Sequence, residues 1–151
     1  YRRPWYPRGA TTPVSGLPES ASGRRIVAAG AIFALLAVLL GAFAAHGLKS
    51  TLDGYRLGIF ETAVRYQMYH AIALLIAGAL ASRPDYSRRW LRGAALAFGL
   101  GILLFSGSLY MLALSGIGWL GAITPLGGSA FLLGWLALAI AALKTRSDGA
   151  R

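Results

Sequence analysis

The sequence predicts an all-α integral membrane protein, a four-transmembrane-helix bundle with both termini cytoplasmic. Of its 151 residues 56% are hydrophobic and only 13% are charged, whereas soluble domains carry roughly 25% charged residues. Long apolar segments recur along the chain, and each, with its flanks, is close to the about 20 residues that a helix needs to cross a bilayer. Basic residues concentrate at alternate ends of these segments, which is the positive-inside pattern of multi-pass membrane proteins.

Residues 1–23 are predicted to form an extended N-terminal arm outside the bundle. Four prolines, together with glycines and serines, prevent a regular helix there. Two interpretations stay open: a disordered tail, or a strap that binds a partner on the cytoplasmic side. The strap would use aromatic and basic anchors, because such residues dominate interface energetics. These candidate partner-binding residues are Arg2, Arg3, Trp5, Tyr6 and Arg8.

The membrane domain is expected over 24–146, followed by a short C-terminal tail over 147–151. Its first helix is predicted near 26–46, where small residues at three- and four-residue spacing would let a neighbouring helix approach closely. This apolar segment is longer than that of a signal peptide, so we expect an anchoring span rather than a cleavable leader. The second helix is predicted near 57–82, and its first half is polar.

The third and fourth helices are predicted near 91–115 and 123–143. Thr124 and Pro125 read as an N-cap followed by proline at the first helical position. Orientation follows from the 15 Lys and Arg residues, of which 12 lie on the side of the termini and the loop before the third helix, and 3 lie on the other. This asymmetry predicts that both termini are cytoplasmic.

The notable polar residues fall in the outer half of the predicted bundle. Ionisable groups at membrane depth are costly and usually face protein, so we expect the second helix to turn its polar residues toward its neighbours. The candidate polar cluster consists of His46, Glu61, Arg65, Gln67, His70, Ser106, Ser108, Tyr110 and Thr124.

Several members of this cluster have predicted roles. Glu61 and Arg65 are in the preferred order for an intrahelical ion pair near the headgroups; a polar lining for a ligand or proton path, and a subunit contact, stay open as alternatives. For His70 we expect a hydrogen-bonding core histidine, because a bis-histidine haem site with His46 would need two ligands at depths that differ by roughly 8–10 Å. The hydroxyl groups within 105–110 are expected to bond across helices.

The composition argues against catalysis and against metal sites. The chain has no cysteine, two histidines and five acidic residues, which excludes thiolate metal sites and covalent c-type haem. Because the sequence holds no nucleophile–base arrangement, metal-ligand spacing or phosphate loop, we expect no catalytic residue, no metal, no cofactor and no enzymatic activity. The net charge of +10 follows from membrane topology rather than from nucleic-acid binding, so membrane lipids and other membrane-protein subunits are the expected partners.

Four linked motifs resemble domain-of-unknown-function family 423, a group of small four-helix membrane proteins similar to vertebrate transmembrane protein 256. The motifs are GAFAAHGLK (41–49), ETAVRYQMYHAIALL (61–75), FSGSLYMLAL (105–114) and TPLGGSAFLLGWLAL (124–138). The resemblance covers roughly 26–143 and departs from the usual GAFGAHALK at Ala44 and Gly47. It implies the same fold and no established activity, so it adds no catalytic or binding residue.

We therefore expect a non-catalytic, small, multi-pass protein of the bacterial inner (plasma) membrane. The leading hypothesis is a structural or accessory subunit of a larger membrane complex, for example of respiratory or photosynthetic type. The alternative is a small transporter or channel component that uses the outer-leaflet polar cluster. A transporter needs a continuous polar route, and the inner halves of the predicted helices offer almost no polar side chain.

Overall fold

A computed structural model describes residues 21–144, and all regular structure in this part of the chain is helical. Its α-helices are α1 (Ala21–Phe43), α2 (Gly54–Ala81), α3 (Arg88–Gly101), α4 (Gly107–Ser115) and α5 (Thr124–Leu143). Shorter turns extend or join them: the π-helical turns Ala44–Leu48 and Ile102–Ser106, and the 3₁₀ turn Gly118–Ala122. The all-helical class predicted from the sequence is confirmed for these residues.

Three helical segments are long and apolar enough to cross a membrane, namely Ala21–Leu48, Arg88–Ser115 and Gly118–Leu143. The remaining long helix, α2, has 28 residues, about 42 Å at helical rise, but it carries charged residues in its first half. α2 packs against α1, α3 and α4. α2 is therefore in contact with two of the apolar segments, Ala21–Leu48 and Arg88–Ser115, and does not lie apart from them.

The first three of the four predicted helices start earlier than predicted, and α3 begins at Arg88 rather than at 91. α1 begins at Ala21 and so includes residues 21–23, which we had assigned to the arm; the last proline of the arm is Pro18, so none prevents helix here. α2 begins at Gly54 because the Asp53 carboxylate caps it. The rest of the arm, with its anchors Arg2, Arg3, Trp5, Tyr6 and Arg8, lies outside the described residues, as does the tail over 147–151.

α1 and α2 pack through small residues on both helices. A Cβ atom at Gly30 would lie 3.0 Å from the Ala71 carbonyl oxygen, and one at Gly78 would lie 2.8 Å from the Val27 backbone nitrogen. Helix backbones approach this closely only where side chains are small or missing. The opposite face of α1 is exposed and apolar, as a lipid-facing surface requires; it includes Ile32, Leu35, Val38 and Leu39.

α3, the π turn after it and α5 pack by placing phenylalanine rings over glycines. The Phe98 ring lies over Gly134 and the Phe131 ring lies over Gly101, whereas Gly127 lies against the backbone of Phe105 in the π turn. Because the rings come from both sides, the two segments interleave, and a methyl group at any of these glycines would overlap the facing phenylalanine. This interface holds α5 in place and sets the position of the aromatic residues around α2.

Candidate functional site

α2 carries polar residues on two different faces. Gln67 and His70 are buried, with 3% and 5% of their surface exposed, whereas Glu61 and Arg65 are exposed. Positions 65 and 67 lie about 200° apart around a helix, on nearly opposite sides. The helix itself therefore divides the candidate polar cluster into a buried part and an exposed part.

The Gln67 amide connects three helices. Its Nε2 donates a hydrogen bond to the Phe33 carbonyl oxygen of α1 at 2.9 Å, and its Oε1 accepts one from the Tyr110 hydroxyl of α4 at 3.0 Å. Side-chain hydrogen bonds between membrane helices each stabilise by on the order of 1 kcal/mol. Both ends of one buried side chain thus fix α1, α2 and α4 at the same level.

The His70 ring is held by two hydrogen bonds that define its tautomer. Nδ1 lies 2.7 Å from the Tyr66 carbonyl oxygen, which can only accept, so Nδ1 carries the hydrogen. Nε2 lies 3.3 Å from the Trp135 indole nitrogen, which can only donate, so Nε2 accepts. The ring also stacks on Phe131, with centroids 3.4 Å apart. A neutral His70 therefore joins α2 to α5 and uses both ring nitrogens to do so.

The hydroxyl groups of the third span and of α5 also bond between helices. Ser106 donates to the Ala63 carbonyl oxygen of α2 at 2.9 Å, and Ser108 lies 2.9 Å from the Thr124 hydroxyl. The prediction that Thr124 is the N-cap of α5 is wrong, because Ile123 occupies that position. The Thr124 hydroxyl lies next to that of Ser108 instead. Every buried side-chain nitrogen and oxygen within residues 21–144 has a hydrogen-bond partner.

A cleft of about 440 Å³ opens beside His70, between α2 and α5. Its walls are mostly aromatic and aliphatic, and they include Tyr66, Tyr69 and Trp135. Both nitrogens of His70 are already engaged, so a ligand here would meet apolar surface and no vacant lone pair. In the part of the chain that the structure describes, no three His, Asp or Glu side chains lie close enough to hold a metal ion.

Glu61 and Arg65 line a different groove, of about 350 Å³, between α1 and α2. Its other wall is formed by the first helical segment and includes the small residues Ala37, Gly41 and Ala44 as well as Val38. These residues belong to the apolar segment Ala21–Leu48. The two charged side chains therefore lie beside a segment that is long and apolar enough to cross a membrane, within its length rather than beyond its end.

The intrahelical ion pair predicted for Glu61 and Arg65 does not form. Among the described residues neither side chain makes an ion pair or a hydrogen bond, and both are exposed rather than turned toward the neighbouring helices. An exposed pair of this spacing stabilises by only about 0.3–0.5 kcal/mol, which does not offset the rotamer entropy lost in holding it. His46 is likewise exposed, in the π turn that follows α1.

Arg56 has a structural role that we did not predict. Its Nε and Nη2 atoms donate hydrogen bonds at 2.6 Å to the carbonyl oxygens of Ala113 and Leu114, which are near the end of α4, where carbonyl groups lack intrahelical partners. α4 is followed by Gly116, whose φ of 75° favours glycine. The partners are 57 and 58 residues away from Arg56, so no local pattern could have indicated the contact.

These contacts define a class of protein: a helical membrane protein whose buried polar side chains bond one helix to another. The chain belongs to the family described as "Protein of unknown function (DUF423)", whose model matches residues 40–128, more than half of the sequence. This confirms the family resemblance that the four motifs indicated. No solved structure matches the chain.

Several bacterial proteins are similar to this chain over most of their length. A UPF0382 membrane protein of Staphylococcus epidermidis is 49% identical over 115 residues, which are 76% of this chain and 92% of the relative. The UPF0382 membrane protein YwdK of Bacillus subtilis is 48% identical, with coverage of 76% and 93%, and a relative from Haemophilus influenzae is 42% identical, with coverage of 78% and 92%. Together with the apolar helices, these relatives identify the chain as a membrane protein.

Proposed function

We propose that this protein is a non-catalytic, four-span protein of the bacterial inner membrane that serves as a structural or accessory subunit of a larger membrane complex. Its buried polar residues hold its own helices together, and Glu61 and Arg65 bind the partner. One observation carries the proposal: two exposed charged side chains, unpaired among the described residues, border a groove of small residues within the length of a membrane-crossing segment.

The cost of exposing charge to lipid supports this proposal. A charged side chain at the centre of a membrane helix costs about 2.5–3.5 kcal/mol on insertion scales, and less toward the interface. A partner chain lowers this cost because it supplies hydrogen-bonding groups and excludes lipid. A helix of that partner would lie over the part of the groove that is still exposed, which on the first segment includes Val38, Gly41 and Ala42, because Ala37 and Ala44 are already buried within the bundle.

The four-span topology is part of the proposal. α2 serves as the fourth span because its polar residues Gln67 and His70 are buried against other helices and need not meet lipid. The division of basic residues, 12 against 3, supports cytoplasmic termini. Single cysteines introduced at Ser87 and Gly118 into this cysteine-free chain should react with an impermeant maleimide from opposite sides of the membrane. Labelling of both from the same side would contradict the topology.

The partner-binding role is tested by purification of the full chain from its own membranes in a mild detergent. The variant Glu61→Gln/Arg65→Gln removes both groove charges, and the control Arg88→Gln/Arg89→Gln removes two exposed charges that do not line the groove. We expect at least about tenfold lower partner recovery from the first variant and unchanged recovery from the control. Equal recovery from all three proteins, or a wild-type protein that purifies alone, would contradict the role.

The same observations weigh against the alternative of a small transporter or channel component. That function would need polar side chains that exchange bonds with a passing substrate. Gln67, His70 and Ser106 instead bond to groups of the protein itself, and no buried polar side-chain atom of residues 21–144 lacks a partner. Such closed bonding is typical of residues that hold helices together.

A further inference from the structure

A cleft of about 620 Å³ lies between α1 and α3, apart from the groove of Glu61 and Arg65. Both helices pack on α2 rather than closely on each other, and Leu74 of α2 forms part of the cleft lining. The cleft is therefore a gap left by the packing of two helices on a third. It opens toward the surroundings of the bundle rather than into its core.

The cleft is basic at one end and apolar along the rest of its length. Arg25 of α1 and Arg92 of α3 lie near the starts of their helices, and both line the cleft together with Ser22. The residues that follow on both helices are apolar, and Phe33 lies farthest along α1. Ser22 and Phe33 are about 16 Å apart at helical rise, which matches the length of a substantial part of an acyl chain.

The two arginines are available to an anion. Arg92 donates one hydrogen bond, from Nε to the Ser22 hydroxyl at 3.0 Å, and this bond holds the guanidinium at the cleft. Of the acidic residues that the structure describes, Asp53 caps α2, Glu61 lines the other groove and Asp85 pairs with Arg83. None of these three carboxylates neutralises the cleft.

We propose that this cleft binds one phospholipid with a net negative headgroup, with its phosphate between Arg25 and Arg92 and one acyl chain along the apolar part. Guanidinium groups bind phosphate oxygens in a bidentate geometry, and basic sites between helices on the cytoplasmic side attract anionic headgroups. An inorganic anion would use only the basic end, whereas a lipid would use the whole cleft. This inference does not depend on the partner-binding role of Glu61 and Arg65.

The test measures lipid binding to the full chain by native mass spectrometry. Dioleoyl phosphatidylglycerol is the anionic probe, and dioleoyl phosphatidylcholine is the neutral comparison with identical chains. We expect the phosphatidylglycerol affinity to fall on the order of tenfold in Arg25→Gln/Arg92→Gln and to stay unchanged in Arg88→Gln/Arg89→Gln. Equal binding of the two lipids to the wild type, or equal losses in both variants, would overturn the proposal.

A second variant tests the apolar part of the cleft without changing charge. A side chain at Gly99 would project into open space, and Gly99 lines the cleft, so Gly99→Leu should occupy the acyl-chain site while the fold is kept. We expect this variant to lose phosphatidylglycerol as well, and we expect excess inorganic phosphate not to displace the lipid from the wild type. Full lipid binding by Gly99→Leu, or displacement by phosphate, would show an anion site only and would contradict a lipid site.

Discussion

Arg65 and Gln67 are two residues apart on α2, yet they meet opposite surroundings. Gln67 is buried and uses both ends of its amide for bonds to α1 and α4, whereas Arg65 is exposed beside a groove. The polar residues of α2 therefore fall into two groups with different surroundings. A polar side chain bonded inside the bundle stabilises the fold, whereas under the proposed function one left unpaired outside it contacts a partner chain.

This difference accounts for the unusual composition of α2. The helix can be half polar because its inward polar residues are satisfied by α1, α4 and α5, at little cost in desolvation. Its outward charges have no such compensation among the described residues. The buried face thus explains how the bundle tolerates α2, and the exposed face is the one to which we assign partner binding in the proposed function.

The largest expected effect lies where the inward face of α2 meets α1. Gly78→Ala should lower the free energy of unfolding by about 2–3 kcal/mol, because the added methyl group would overlap Val27. Gly58 lies on the same helix with open space at its Cβ position, so Gly58→Ala should raise the free energy of unfolding by about 0.5–1 kcal/mol, because alanine favours a helix more than glycine does. Denaturant titration in detergent measures both. Equal effects of the two substitutions would contradict the assignment of faces.

A smaller effect is expected from the bonds of Gln67. Gln67→Leu should cost about 1–2 kcal/mol, because the Phe33 carbonyl and the Tyr110 hydroxyl lose their partner, whereas Arg65→Gln should be neutral within about 0.5 kcal/mol. A double-mutant cycle of Gln67→Leu with Tyr110→Phe isolates the shared bond. Strictly additive losses in that cycle would show that the two side chains do not interact.

The smallest of these effects is expected at Arg56, which belongs to neither the buried polar group nor the charged groove of α2. Arg56→Met should cost about 1 kcal/mol, because two carbonyl oxygens at the end of α4 lose their donors. Lys49→Met removes an exposed charge that makes no such contact and serves as the control. The same unfolding titration compares the two variants, and a loss in Lys49→Met as large as that in Arg56→Met would contradict a specific capping role.

Much of the fold could be predicted from the sequence, because hydrophobic length and small-residue spacing are local properties. The third helical segment and α5 lie within a few residues of their predicted bounds. The π-helical turns were not predicted. Ser106 ends the second of these turns and bonds the Ala63 carbonyl of a different helix, and no sequence pattern carries that tertiary information.

The sequence indicates the polar residues of the candidate site, but not which of them contact one another. The predicted topology puts Gln67, Tyr110, Ser108 and Thr124 in the same half of the bundle, and it does not indicate the particular bonds between Tyr110 and Gln67 and between Ser108 and Thr124. It could not assign Glu61 and Arg65 to the exposed face, because the faces of α2 are decided by which helices pack on it. Four-residue spacing alone is also a poor predictor of an exposed ion pair, because such a pair contributes little to stability.

The central claim is that protein, not lipid, covers the exposed face of α2 in the native membrane. The most direct measurement is photocrosslinking in living cells with benzoylphenylalanine at Tyr69, which borders the charged groove, and at Leu133 of α5 as the control. The two positions are similarly exposed, at 54% and 62%. The account predicts a protein adduct from Tyr69 that disappears in the Glu61→Gln/Arg65→Gln background, and none from Leu133. The same adducts from both positions, or an adduct from Tyr69 that survives the loss of both charges, would contradict it.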